Sequence, residues 1–90
     1  MQKVEKEILI KNSQGLHARP AALFVQTASK FDSSVRISKD AEVIDGKSIM
    51  GILSLGAECG NKIILTVEGE DAEEAFAELE AILSRQEPKK

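Results

Sequence analysis

The sequence predicts a two-layer α/β sandwich, in which four strands and three helices follow the order βαββαβα. Four segments alternate apolar and polar residues, and three repeat apolar residues at helical spacing. Ninety residues form one domain with a simple core. Amphipathic helices and a sheet with one apolar face pack as two layers, which places all three helices on one side. A ferredoxin-like regulatory domain would give the same pattern.

The first strand is predicted from Val4 to Ile10, with Ile8 on the same face as both. The alternation is weak, so the strand is defined mainly by these three apolar residues. Residues 11–16 then form a loop that leads to the first helix. Gly15 gives this loop backbone freedom.

The first helix is predicted to begin at His17 or Ala18 and to end near Lys30. Pro20 belongs in its first turn, where a missing backbone N–H leaves no hydrogen bond unmade. One apolar stripe should face the core. It consists of Ala18, Ala21, Ala22, Val25 and Ala28, with Phe24 at its edge.

A hairpin follows the first helix. Residues 32–34 have turn composition, and residues 35–38 and 41–44 alternate as two strands that reverse at residues 39–40. The second helix is predicted over residues 48–55. It should be short, because an internal glycine costs roughly 1 kcal/mol relative to alanine in a helix.

The last two elements carry the clearest patterns. The fourth strand is predicted over residues 61–68, with Ile63, Leu65 and Val67 inward and Ile64, Thr66 and Glu68 outward. Asp71 and Glu74 have capping-box spacing at the start of the third helix. The apolar stripe of that helix consists of Ala72, Ala75, Phe76, Leu79, Ile82 and Leu83.

Residues 1–90 are therefore predicted to be a single domain with its core between about residues 4 and 84. The polar tail, residues 85–90, should fray.

Composition narrows the class of partner. A net charge of −3 and a pI near 5.2 argue against nucleic-acid binding, so we expect protein partners. The single cysteine, Cys59, excludes a disulfide framework within the chain and favours a reducing compartment. We find no signal-peptide or membrane-spanning pattern. These observations together predict a cytoplasmic protein that does not insert into membranes, and we expect a monomer.

The candidate reactive residue is His17, the one histidine of the chain. An imidazole can act as a metal ligand, a base or a phosphoryl acceptor. A metal site would lack ligands, because the chain offers no second histidine and one cysteine. A hydrolytic base would lack a recognisable nucleophile motif. A phosphoryl acceptor needs only an anion-stabilising environment, which the helix N-terminus and Arg19 would supply. A capping or surface histidine without a role is the remaining alternative.

Two motifs carry a family resemblance. Residues 15–21, GLHARPA, resemble the active-site signature of HPr, the histidine phosphocarrier of the bacterial phosphoenolpyruvate-dependent sugar phosphotransferase system. Residues 46–56, GKSIMGILSLG, resemble that family's regulatory serine segment. The similarity extends from about Val4 to Leu83. It implies that the four-stranded sheet is antiparallel.

The resemblance also implies a function. The phosphohistidine of enzyme I would donate its phosphoryl group to Nδ1 of His17, and the group would pass to IIA domains of sugar permeases. Arg19 would offset the phosphate charge, the backbone N–H groups of Ala18 and Arg19 would bind its oxygens, and Pro20 would fix the helix entry. The protein would be a stoichiometric carrier without a cofactor or metal, and not an enzyme.

A docking surface is predicted beside His17. On a helical wheel Leu23 faces away from the apolar stripe of its helix, and in the second helix Ile49, Met50 and Leu53 lie on or near the outer face. We call these four residues the apolar patch. Gln26 and Thr27 lie close to Leu23 on the same wheel and are therefore predicted to belong to this surface. The resemblance implies that the surface docks protein partners.

Ser48 is predicted to cap the second helix. The resemblance implies that it is also phosphorylated by an HPr kinase/phosphorylase, with a catabolite-control transcription factor as a further partner. A regulatory paralogue remains an alternative, either in a nitrogen-related phosphorelay or as a corepressor. Retention of His17 disfavours it, because paralogues that have lost carrier function replace this residue. Outside the family, the alternative is a small-ligand-binding module.

Overall fold

The predicted order of elements is confirmed by the computed structural model, which describes residues 2–11 and 15–84. The predicted fraying of residues 85–90 lies outside this range. The elements are β1 (Gln2–Leu9), α1 (Ala18–Ala28), β2 (Ser34–Lys39), β3 (Glu42–Asp45), α2 (Ile49–Leu55), β4 (Lys62–Gly69) and α3 (Ala72–Ser84).

The four strands form one antiparallel sheet in the order β1-β4-β2-β3. Strand β4 lies inside the sheet and pairs along its whole length with β1, from Gln2 opposite Gly69 to Leu9 opposite Lys62. Its other edge pairs with β2. The inward residues Ile63, Leu65 and Val67 of β4 are almost completely buried, so the central strand forms the floor of the core.

Helix ends differ from the predictions by one or two residues. Helix α1 ends at Ala28 and not near Lys30, because the N–H groups of Lys30 and Phe31 donate to Thr27 O and Ala28 O, three residues back. Such bonds tighten the last turn and end the α-helix. None of the helices in residues 2–11 and 15–84 combines the length and apolar character needed to cross a bilayer.

The buried stripe of α1 differs from the predicted one. Phe24 is completely buried at its centre, whereas Ala18, the predicted start of the stripe, is exposed. An aromatic side chain buries far more apolar surface than an alanine, so the helix orients Phe24 toward the sheet. The buried residues of α1 are Pro20, Ala21, Phe24, Thr27 and Ala28.

This orientation corrects the prediction for Thr27. Its side chain was expected on the docking surface, yet it is 6 % exposed. Thr27 lies three residues after Phe24 and therefore shares its face of the helix. Thr27 therefore belongs to the buried face of α1 and not to its exposed surface.

A second correction concerns Thr66, on the outward face of β4. It was predicted to face solvent but is 6 % exposed. The strand neighbours of Thr66 are Glu5 and Arg36, and its hydroxyl donates to Glu5 Oε2 at 2.7 Å. Long side chains on both flanks thus cover a short one in the interior strand.

Asp71 joins two parts of the chain and does not close the predicted capping box. Its carboxylate accepts hydrogen bonds from the backbone N–H groups of Asp32 and Ser33, both at 3.0 Å, and from the Ser33 hydroxyl. These bonds lower the pKa of the Asp71 carboxyl below its ordinary value, the Ser33 hydroxyl contributing most. The turn before β2 is thereby attached to the start of α3.

We predict that Asp71→Asn lowers stability in a pH-dependent way. Because folding lowers the pKa of the Asp71 carboxyl, the ionised carboxylate stabilises the fold at pH values above its ordinary pKa, about 3.9. This stabilisation is lost as the pH falls through the pKa of the folded state. Urea unfolding at pH 7, 5 and 3 should show a difference from the parent protein that shrinks at pH 3. Glu74→Gln, in the first turn of α3, is the control. A difference independent of pH would contradict the assignment.

Candidate functional site

His17 is the N-cap residue of α1, as the sequence predicts. Its backbone is extended, with φ −87° and ψ −167°, and its carbonyl accepts the first helical hydrogen bond from Ala21 N at 3.0 Å. The side chain is half-buried and makes no capping bond to the helix. The imidazole therefore lies at the N-terminus of α1 but does not cap the helix with a side-chain hydrogen bond.

The first turn of α1 offers backbone donors to an anion. The N–H groups of Ala18 and Arg19 precede the first i to i−4 bond and have no partner within the helix. Pro20, the third helical residue, has no N–H, and it is buried. The turn contains no acidic residue, and Arg19 is exposed. The helix dipole and the guanidinium together make this end of α1 electropositive.

The residues before His17 are held by the connection between α2 and β4. Leu16 N donates to Ala57 O at 2.9 Å, and the Leu16 side chain is 4 % exposed. Gly15 has a φ of +71°, and a Cβ there would lie 2.5 Å from Ala57 O and 2.8 Å from the Glu58 Cα. Glycine is thus required both for its backbone conformation and for the close approach.

The sequence pattern does not predict that the Asn61 side chain holds the turn after Ala57. Its side-chain Oδ1 accepts a hydrogen bond from Glu58 N at 2.8 Å, and its own N–H donates to Glu58 O at 2.9 Å. The two bonds close the turn that follows Ala57. An asparagine in a polar loop is common, so no sequence signal distinguishes this one.

Ser48 is the N-cap of α2, as predicted. Its Oγ accepts a hydrogen bond from Gly51 N at 3.1 Å. The residues before it are fixed by Asp45, whose carboxylate accepts from Lys47 N at 2.9 Å and whose carbonyl accepts from Ser48 N at 3.1 Å. The Ser48 side chain is half-buried, and α2 ends at Gly56 in a left-handed conformation.

The four residues of the apolar patch are exposed, in agreement with the helical wheel. Met50 is the most exposed, at 72 %, while Leu23, Ile49 and Leu53 are each 38 % exposed. Helices α1 and α2 are in contact, so both parts of the patch lie on neighbouring helices. Gln26 is exposed on α1 as well, unlike the buried Thr27.

Within the part of the chain that the structure describes, no group of three or more His, Cys, Asp or Glu side chains is arranged to hold a metal ion. Cys59 is exposed and is a free thiol.

Comparison with known proteins identifies the family. The family model described as "PTS HPr component phosphorylation site" matches residues 4–85, nearly the whole chain. The HPr-like protein Crh of Halalkalibacterium halodurans is 46 % identical over 83 residues, covering 92 % of this chain and 99 % of the relative. The phosphocarrier protein HPr of Treponema pallidum is 43 % identical over 79 residues, covering 88 % and 90 %.

The fold is also that of a solved structure. The crystal structure of a phosphocarrier protein HPr from Bacillus anthracis superimposes with a TM-score of 0.87 at 46 % identity, covering 91 % of this chain and 98 % of that one. The antiparallel sheet and its three helices are therefore a shared architecture.

We predict that Gly15→Ala destabilises the protein by about 2–4 kcal/mol, because the substitution adds both backbone strain and a steric clash with Ala57 O. Gly56→Ala is the matched control. Gly56 has a similar φ of +66°, but no atom lies within 4 Å of the position that an added Cβ would take, so this variant should lose only the strain term, about 1–2 kcal/mol. Chemical denaturation compares the two, and equal losses would refute the close approach.

Proposed function

The chain belongs to the HPr family of phosphocarriers, and we propose that it carries a phosphoryl group on His17 within a phosphotransferase system. The observation that carries the proposal is the position of His17 at the N-cap of α1. His17 directly precedes Ala18 and Arg19, whose N–H groups have no partner within the helix, and the Arg19 side chain is exposed. An anion bound to the ring would meet these donors without rearrangement of the helix.

The proposed reaction is a direct exchange of one phosphorus–nitrogen bond for another. Nδ1 of His17 would attack the phosphorus of the phosphohistidine of enzyme I, and the donor imidazole would leave with the electron pair of the broken bond. Transfer to a IIA domain would repeat the step in the forward direction. Because phosphoryl transfer requires mainly positioning and charge stabilisation, the chain needs no further catalytic group.

The proposed partners dock on the apolar patch. A carrier must bind a donor and several acceptors in turn, and a small exposed surface of flexible side chains suits such exchange. Met50 provides that flexibility, and Gln26 adds a polar contact beside the patch. We place these encounters in the cytoplasm and expect a monomeric carrier.

A regulatory function is the second candidate, favoured by the similarity to the Crh protein. We propose that Ser48 is phosphorylated by an HPr kinase/phosphorylase and that the product binds a catabolite-control transcription factor. A phosphate on Ser48 would add about two negative charges between Lys47 and Ile49, at the margin of the apolar patch. Its oxygens could still accept the Gly51 N–H, so the main effect should fall on partners and not on folding.

We predict that His17→Ala abolishes phosphoryl acceptance, because the nucleophile is lost, and leaves the fold intact. The assay is intact mass after incubation with phosphoenolpyruvate, Mg²⁺ and enzyme I, where the parent protein should gain one acid-labile phosphoryl group. Arg19→Ala should slow the transfer about ten- to a hundredfold, since one charge-assisted hydrogen bond is lost. Full acceptance by His17→Ala would reject the carrier function.

We predict that Met50→Glu raises the KM of enzyme I for this carrier by about tenfold or more, because apolar contact is replaced by a charge at the interface. Val43→Glu is the control, because Val43 is 59 % exposed and lies on the sheet, outside the patch. Both variants should melt near the parent temperature. A similar rise in KM for both would show that charge alone, and not the patch, determines docking.

For Ser48 we predict that the kinase-phosphorylated protein accepts the phosphoryl group from enzyme I at least tenfold more slowly at a nearly unchanged melting temperature. Ser48→Ala should behave in the opposite way, with transfer retained and about 1 kcal/mol of stability lost with the cap. Transfer rates and thermal melts of both proteins test this. If phosphorylation lowered stability and left transfer unchanged, Ser48 would be a helix cap only.

A further inference from the structure

We propose that Asn61 is a positioning residue for His17, acting through the turn that joins α2 to β4. The inference rests on the proposed phosphocarrier function and adds a residue to it. Asn61 is half-buried and does not belong to the electropositive helix end. Its influence would pass along hydrogen bonds through the backbone.

Residues 58–61 form a closed turn. Asn61 binds Glu58 twice, since its Oδ1 accepts from Glu58 N at 2.8 Å and its N–H donates to Glu58 O at 2.9 Å. Only the first bond depends on the side chain. An alanine would leave Glu58 N without this acceptor and would leave the turn closed by a single bond.

Hydrogen bonds join this turn to Ile10 and to Leu16, which lie on either side of residues 11–15. On one side, Ile10 is bound twice, by Gly60 N donating to Ile10 O and by Ile10 N donating to Asn61 O, both at 2.9 Å. On the other side, Leu16 N donates to Ala57 O at 2.9 Å. The turn is therefore the common support of the residues that enter and leave the loop.

The turn is linked to His17 through the backbone of Leu16. Leu16 directly precedes His17. The residue before it, Gly15, is packed closely against Ala57 and Glu58, so Gly15 and Leu16 cannot move independently of the turn. A shift of the turn must therefore move Leu16, and with it the His17 backbone relative to the helix donors. Small displacements of a reacting group lower the rate of a reaction strongly. An exposed turn, in contrast, contributes little to the stability of the core. Transfer should thus be more sensitive to Asn61 than folding is.

The experiment compares three variants in phosphoryl transfer from enzyme I. Asn61→Ala should lower kcat about three- to tenfold with KM unchanged, because the apolar patch is untouched. Asn61→Asp should restore most of kcat, since its carboxylate oxygen can accept the Glu58 N–H. Glu58→Gln changes an exposed side chain of the same turn and keeps both hydrogen bonds to Asn61, because these use only the backbone of Glu58. This variant should accept the phosphoryl group at the same rate as the parent protein.

A second measurement separates this inference from the proposed function. In NMR spectra, Asn61→Ala should speed amide exchange at Leu16 at least threefold and shift the His17 ring resonances, and Asn61→Asp should reverse both changes. The NMR measurements test the positioning role independently of phosphoryl transfer. If the parent protein accepted no phosphoryl group, that result would reject the carrier function but not the positioning role. Unchanged Leu16 exchange and His17 shifts in Asn61→Ala would overturn the inference, as would an equal loss of kcat in Asn61→Ala and Asn61→Asp.

Discussion

The hydrogen bond from Leu16 N to Ala57 O, 2.9 Å long, is the constraint on which the site depends. It fixes the residue before the cap of α1, and the burial of the Leu16 side chain reinforces it. The bond forms only because Gly15 permits the approach to Ala57. His17 can then stand at the helix entrance with a half-buried ring, its backbone fixed on one side by this bond and on the other by the first turn of α1.

Buried and exposed apolar side chains lie on opposite faces of the same two helices. Phe24 anchors α1 in the core, and Leu23, its neighbour in sequence, is exposed on the apolar patch. In α2, Ile52 is completely buried between the exposed residues Met50 and Leu53. Each helix therefore packs one face against the core and leaves apolar side chains exposed on the other, since a 100° turn per residue separates adjacent side chains.

Local signals allowed the order of elements and both caps to be predicted, because His17 and Ser48 are defined by their immediate sequence. Thr27 was misplaced because the orientation of an alanine-rich helix depends on which large side chain the sheet accepts, and this is a tertiary effect. Asp71 and Asn61 were missed as connectors for a related reason. Their hydrogen bonds to Ser33 and Glu58 follow from the packing of loops, which periodicity does not encode.

Pro20 reduces the number of backbone donors that the first turn of α1 offers to an anion. A carrier must accept a phosphoryl group and release it, so donors that bound the phosphorylated form too tightly would slow the onward step. In the first turn of α1 the proline removes one N–H, and the backbone donors there are those of Ala18 and Arg19. If His17 carries the group as proposed, this reduced set of donors, with the exposed Arg19 side chain, would stabilise the phosphate while keeping its transfer to the next protein close to equilibrium.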